Sequence, residues 1–439
     1  MAEQARTAPV RLRRVIAAAG IGNFVEWFDF SLYGFLAPVL AAQFFPNSDP
    51  AASLLATFAV FGLAFFVRPL GALYFGRMGD RVGRRTTLSV IVLLMSGSTA
   101  VIGLLPTYAA IGVGAPLLLL LMRLLQGFSA GGEFTGASVL IVEYAPPHRR
   151  GLYMSALSIS TFAASALGVM ITAALTSGVG VEAMQAWGWR ALFLLSLPLG
   201  LVGLYLRLKV EETPEFKRLE HAADVEQAPL AEALRTQRKP IATLFVLIMI
   251  NSVAFYVLGT YWPTFLSQHA GMARTEALWS SAAAYGVLIA TAPLHGYLAD
   301  RFGRKPMMVY ATVGFAVVAI PGFLLSAQGG FWTAFLGQAL FALMAGAMSP
   351  VNSLITAELF PPHVRYSSGA IGQNLAYLVF GGTAPYVCTF LIAATGSGLS
   401  PAIYIAAIAV VSALGAIFML RETKPAEAPS GDRVVEGAS

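Results

Sequence analysis

Two carboxylates, Glu26 and Asp29, stand three residues apart in "GNFVEWFDF", residues 22–30. The stretch is otherwise aromatic and apolar and lies inside a longer apolar run. At about 100° per residue, Glu26, Asp29 and Tyr33 fall within an arc of about 60° on one helix face. An acid in such a place can load a proton on one side of a barrier and release it on the other as its surroundings change. The plainer alternative is a structural acid hydrogen-bonded to Asn23 or to another helix.

A second constellation holds Arg123, Gln126 and Glu133, which share an arc of about 80°. Arg123 and Glu133 are about 15 Å apart along the axis, so they do not bond each other directly. Arg123 can alter the proton affinity of nearby acids, or it can only join helices; Glu133 can touch substrate or proton. Trp27, Phe134, Phe255, Tyr256 and Trp262 are aromatic residues in the same set of apolar runs. Aromatic faces attract quaternary ammonium groups. Asn251, Gln338, Asn352, Gln373 and Asn374 are neutral polar groups at depth, open to substrate contact or interhelical hydrogen bonding.

These residues need a frame that holds them away from water. The chain has 439 residues, 57% hydrophobic and only 11% charged, against about 25% charged in soluble domains. Twelve apolar runs are long enough to span a bilayer as helices: 15–43, 53–76, 87–105, 114–142, 152–177, 190–208, 241–268, 277–298, 307–326, 331–358, 366–394 and 401–420. Strict two-residue alternation is absent, which argues against a β-barrel. If the chain enters the membrane near Ile16, Glu26 lies about 15 Å deep, near the bilayer middle. A charge there costs at least about 2.5–3.5 kcal/mol.

The net charge of +6 suggests nucleic acid until its placement is read. Of the 28 lysines and arginines, all but Arg68, Arg123, Arg190 and Arg274 fall in the termini or in alternate loops. That bias puts both termini in the cytoplasm, with no nucleic-acid partner expected. The single cysteine, Cys388, excludes an internal disulfide. The first apolar stretch is too long, and bears acids, for a cleavable signal peptide.

The chain divides six spans from six. Residues 1–14 read as an N-terminal tail, 15–208 as one six-helix bundle, 209–240 as a partly helical polar loop, 241–421 as a second bundle and 422–439 as a disordered tail. "GRMGDRVGRR" (76–85) follows the second span and "GYLADRFGRK" (296–305) the eighth; "EYAPPHRRG" (143–151) and "ELFPPHVRY" (358–366) end the fourth and tenth. Paired signatures in register argue for a duplicated unit around a midplane site. A carboxylate favours a helix N-terminus and arginines can pair with it. Gly76, Asp80, Arg81, Gly83, Arg84 and Arg85, with Asp300, Arg301, Gly303 and Arg304, therefore form a candidate gate, or else serve only as topology signals.

"GRMGDRVGRR" and "RLLQGFSAGGEF" resemble signatures of the major facilitator superfamily. "GNFVEWFDF", "QGFSAGGEFTGAS", "WGWR", "EETPEF" and "VRYSSGAIGQNLAYLVFGGTAP" together resemble its metabolite:proton symporter branch, which includes proline/betaine, α-ketoglutarate, citrate and shikimate transporters. The likeness covers residues 14 to 424, and "GGEFTGAS" is most similar to the proline/betaine type. It implies an all-α membrane protein of twelve helices in two pseudo-symmetric bundles, alternating access, and proton coupling through the Arg of "RLLQG". Some proline/betaine transporters carry a long C-terminal coiled coil; this sequence stops soon after its twelfth span, so osmotic sensing through such a tail is not expected.

The functional expectation is a secondary transporter importing a small zwitterion with protons, working as a monomer in a bacterial inner membrane in contact with lipid. Its candidate proton-coupling residues are Glu26, Asp29, Arg123 and Glu133. A di- or tricarboxylate, or shikimate, is the alternative cargo. A channel or membrane enzyme is a remoter reading: no metal cluster or nucleophile–base pair appears. An ATP-driven pump would need GxxxxGK[ST], and no lysine follows a glycine. No cofactor is expected.

Overall fold

The computed structural model describes residues 2–82, 84–131, 138, 141–142, 144–208, 235–361 and 364–424; for 2–15, 17–19, 76–77, 79–82, 84–85, 206–208 and 366 it gives backbone alone. Gly83, Glu133, Phe134, most of the central loop and the tail from residue 425 lie outside the described residues. Every regular element among the described residues is helical. Helices bond their own backbone groups, as hydrocarbon surroundings require.

The first span consists of α1 (Ala2–Phe35) and α2 (Ala37–Phe44), bent by 62° at the junction. Pro38 has no N–H to return to Gly34, which accounts for the break. The second span joins α3 (Pro50–Leu63) to α4 (Arg68–Val82). Asp49 caps α3 by accepting the Ala51 N–H at 2.9 Å, and Pro50 occupies its first turn. Then come α5 (Arg84–Leu104), α6 (Gly114–Ser129), α7 (Arg150–Ala183), α8 (Trp189–Leu194) and α9 (Ser196–Leu208). The later chain holds α10 (Arg238–Tyr256), α11 (Trp262–Gln268), α12 (Arg274–Phe302), α13 (Arg304–Ser326), α14 (Phe331–Glu358), α15 (Arg365–Ala376), α16 (Ala384–Thr395) and α17 (Ser400–Phe418).

Nine helical segments among the described residues are long and apolar enough to cross a membrane, or ten with the bent pair. One of the nine, Pro147–Tyr205, has 59 residues, about 90 Å at 1.5 Å per residue and far more than one crossing needs. Its contacts show that it turns back. Gly20 lies against Ser160 and Gly168 against Phe35, so α7 runs parallel to the first span. Val25 lies against Gly203 while Gln43 bonds the Gln185 carbonyl at 3.0 Å, so the later part runs antiparallel to it. The turn falls near Gly180, whose φ of 85° and ψ of 164° are non-helical. The predicted fourth span, 114–142, is described mainly through α6.

Glycines set how closely helices approach. A Cβ on Gly127 would collide with the Ala64 carbonyl, and one on Gly71 with the Phe128 carbonyl, so the second span and α6 meet backbone to backbone. Large apolar side chains point outward, among them Phe66, Leu104, Val317, Trp332 and Phe418. In water such a surface would aggregate; in lipid it is the solvated face. Single π-helical turns interrupt the helices at 184–188, 257–261 and 377–381. Such turns are rare and cluster at functional sites.

Candidate functional site

The first span is held in rotation by α7. Asn23 donates to Thr161 Oγ1 at 2.7 Å and accepts from Trp27 Nε1 at 3.0 Å, and Ser31 bonds Ser165 at 2.8 Å. That grip turns Glu26, Asp29 and Tyr33 toward the spans on the other side. Glu26 borders a narrow interstice with Ile91, Val92, Met95 and Ser129. Asp29 is fully buried beside the hydroxyls of Ser96 and Thr99 on α5, yet neither carboxylate oxygen reaches hydrogen-bond geometry among the described residues. Tyr33 donates to the Thr57 carbonyl at 2.9 Å.

A short polar chain runs from Thr99, beside this acid, to the arginine on α6. Arg123 Nη1 donates to Gln126 Oε1 at 2.8 Å, and Gln126 Nε2 donates to Thr99 Oγ1 at 2.6 Å. Thr99 then stands between Gln126 and Asp29. Gln126 thus ties Arg123 to Thr99, and Asp29 lies beside Thr99 with neither a hydrogen bond nor an ion pair among the described residues. The Arg123 guanidinium lies on three rings, 4.3 Å from Tyr33, 4.5 Å from Phe30 and 4.9 Å from Phe61. Cation–π attraction of this kind contributes from about 0.5 to 2 kcal/mol, the upper end when desolvated.

A second arginine shares that ring system. Arg68, at the start of α4, lies 4.8 Å from Phe30 and 4.4 Å from Phe65. Phe30, Phe61, Phe65 and Tyr256 pack mutually, with centroids 5.2–6.4 Å apart. Tyr256 comes from α10, so the box is closed by the later half of the chain. Trp27 meets Phe255 at 4.7 Å and Tyr256 at 6.3 Å, and Tyr256 meets Tyr377 at 6.2 Å. Asn251 donates to the Tyr377 hydroxyl at 3.4 Å, and Gln373 stands beside it. Asn374 reaches the Gly131 carbonyl at 3.2 Å and so also crosses between halves.

Other sequence candidates lie elsewhere. Trp262 donates to Ser326 at 3.1 Å and packs on Phe323 and Phe341, both at 4.6 Å. Gln338 bonds Ser281 at 2.7 Å and Ser280 at 3.0 Å. The contacts of both are with the second half. Asn352 is buried, its amide oxygen without a partner among the described residues. Sequence reasoning placed Arg68 only near a helix end and did not single out Phe30, Phe61, Phe65, Thr99 or Tyr377. An arginine within an apolar run was the available signal for Arg68.

At one end of the bundle Asp300 caps α7. Its carboxylate accepts the Gly151 N–H at 2.8 Å and the Leu152 N–H at 2.9 Å, where the helix dipole favours an anion. Gly151 and Gly296 touch closely enough that a Cβ on either would strike the other's carbonyl. Buried Arg304 donates to Glu358 at 2.9 and 3.1 Å, and Arg150 reaches the same carboxylate at 3.4 Å. Arg301 is exposed, its guanidinium 5.4 Å from the Phe302 ring, and Gly303 holds the left-handed turn at φ 103°. Glu422 caps α13 through the N–H groups of Arg304 at 2.8 Å and Lys305 at 3.1 Å. Of the earlier copy of this motif, Gly76, Asp80, Arg81, Arg84 and Arg85 are described by backbone alone. Among the described residues no three His, Cys, Asp or Glu gather as a metal site.

A bundle of spanning helices around buried charges and a ring box shared by both halves defines an integral membrane protein with an intramembrane polar site. The sequence profile of the Major Facilitator Superfamily matches residues 19–290 and again 244–436. The chain belongs to the major facilitator superfamily, a family of membrane transporters. It is 38% identical to the glycine betaine/proline/ectoine/pipecolic acid transporter OusA of Dickeya dadantii over 420 residues, spanning 93% of this chain and 83% of that one. The proline/betaine transporter of Salmonella typhimurium is 37% identical, with the same coverage. The fold matches the partially occluded inward-open xylose transporter XylE from E. coli at a TM-score of 0.75, with 21% identity, covering 95% of this chain and 99% of that one.

Proposed function

We propose that this protein imports a zwitterionic compatible solute, such as proline or betaine, together with protons by alternating access. The observation that carries the reading is Asp29: fully buried, without a hydrogen bond or ion pair among the described residues, and lying beside Thr99, which Gln126 ties to Arg123 next to a box built by both halves. An ionised carboxyl at such depth costs at least about 2.5–3.5 kcal/mol, and a bound proton removes that cost. Relatives whose names include proline and betaine support the cargo class. In this scheme residues 15–208 and 241–421 are the two moving bundles and 209–240 joins them. The lysine and arginine bias supports a cytoplasmic location for both termini, and for the end bearing Asp300, in an inner membrane. The protein works as a monomer, enclosing its own path. Glu26 and Glu133 are further proton-coupling candidates.

Uptake of labelled betaine or proline into proteoliposomes tests the reading. An imposed inward proton gradient should drive accumulation, and a protonophore should abolish it. Asp29→Asn should retain counterflow exchange while losing gradient-driven accumulation by more than about tenfold, the effect of roughly 1.4 kcal/mol. Accumulation indifferent to the gradient at fixed potential refutes the coupling, and an Asp29→Asn protein that accumulates like its parent removes Asp29 from it.

A further inference from the structure

Arg68 and Arg123 hold the same edge of the guanidinium open. Arginine takes a carboxylate through two parallel N–H donors presented in a fixed fork. In both residues Nε and Nη2 have no hydrogen-bond partner among the described residues, although the side chains are only 4% and 0% exposed. Both guanidiniums lie on Phe30, so they are no farther apart than the sum of their 4.8 and 4.5 Å distances to its centre. The close contact of the second span and α6, through Gly71 against Phe128 and Gly127 against Ala64, brings them there. Tyr33 and Tyr256 lie within electrostatic reach of Arg123, Tyr256 and Tyr377 within reach of Arg68, and Glu26 within reach of the latter two tyrosines.

Two like charges on one ring repel, and a desolvated donor without an acceptor is costly. Phe30 attracts both cations but accepts no bidentate bond. A carboxylate has two oxygens and about four lone-pair sites, enough for both forks. We propose that Arg68 and Arg123 together hold the carboxylate of the transported substrate, Arg68 being the residue that makes a carboxylate obligatory. The ammonium end of a zwitterion then lies toward Trp27, Phe255 and Tyr256, a placement that rests on the osmolyte reading above. A lysine at position 68 keeps the charge but loses the fork.

Binding to the purified full chain, read by calorimetry, tests this with glycine betaine, its methyl ester, choline and succinate. The parent should bind betaine at least tenfold more tightly than the ester or choline, which lack the carboxylate charge. Arg68→Gln should lose at least tenfold in betaine affinity with choline binding unchanged, and Arg68→Lys should fall between. Betaine affinity unchanged in Arg68→Gln overturns the proposal. If that variant does not fold, the parent still decides, because an ester that binds as tightly as betaine also overturns it. A parent that binds succinate but not betaine, with succinate lost in Arg68→Gln or Arg68→Lys, ends the osmolyte reading and keeps the arginine pair. A parent that binds none of the carboxylates ends both.

Discussion

Replacing Asp300 by Ala should open the end of the protein where Gly151 and Gly296 meet. The carboxylate accepts two backbone N–H bonds there, at 2.8 and 2.9 Å, and Arg304 lies 3.6 Å away. Hydrogen bonds to a charged group contribute about 1.5–3 kcal/mol each. Once the halves part, water satisfies the same donors, so the loss falls on the closed state alone. Asp300 retains some exposure, and halving the gross value for solvent leaves about 1.5–3 kcal/mol. At about 1.4 kcal/mol per tenfold, the closed-to-open ratio should fall about 10- to 150-fold. Asp300→Asn keeps one acceptor oxygen and should show a smaller shift. The assay is pulsed electron resonance between spin labels at His148 and Arg301, both exposed, in a protein whose only cysteine, buried Cys388, has been changed to Ala. Distances should lengthen and broaden in Asp300→Ala. A distribution matching the parent refutes the idea that this cap holds the end shut.

Two more outcomes follow from packing and charge. Gly127→Val should cost about 1–3 kcal/mol or more by overpacking against the Ala64 carbonyl and lower the melting temperature in detergent, whereas Gly97→Ala, with no atom within 4 Å of its Cβ, should be neutral; equal melting of the two variants counts against the backbone contact. Partial burial pushes the Glu422 carboxyl up, but the N–H groups of Arg304, Lys424 and Lys305 and the Arg304 charge outweigh it, so the net shift is downward. A depressed folded value means this cap contributes above the ordinary Glu range and is lost as pH falls through the folded value. Hydrogen exchange at the Arg304 and Lys305 amides, corrected for intrinsic rates, should therefore lose protection below about pH 4.3, and Glu422→Gln should weaken it already at pH 7; pH-independent protection in the parent removes the cap from the account.

Spans were legible because apolar length is a direct demand of the bilayer, and predicted limits such as 331–358 coincide with the observed helix Phe331–Glu358. The shared face of Glu26, Asp29 and Tyr33 was legible because α1 is regular through that stretch. The Asp300 contact followed from charge, since few groups in such a protein suit a carboxylate better than a helix N-terminus. Arg68 could not be placed beside Arg123 from sequence, because their meeting depends on two glycines in different helices. Trp262 illustrates a different limit. The π-helical turn at 257–261 adds a residue to one turn of the helix and rotates everything after it. An ideal 3.6-residue period sets Phe255 and Trp262, seven residues apart, on one face, whereas beyond the π-helical turn Trp262 ends against Phe323 and Phe341.

The break in the first span leaves a peptide oxygen at Phe35 that the side chain of Arg274, from the later half, occupies. A proline bend in oil would ordinarily strand such an oxygen. Here the occupant is removable: if the halves separate on that side, a water molecule can take the vacated seat, and one hydrogen bond replaces another at little net free energy. The kink then behaves as a docking port rather than a flaw.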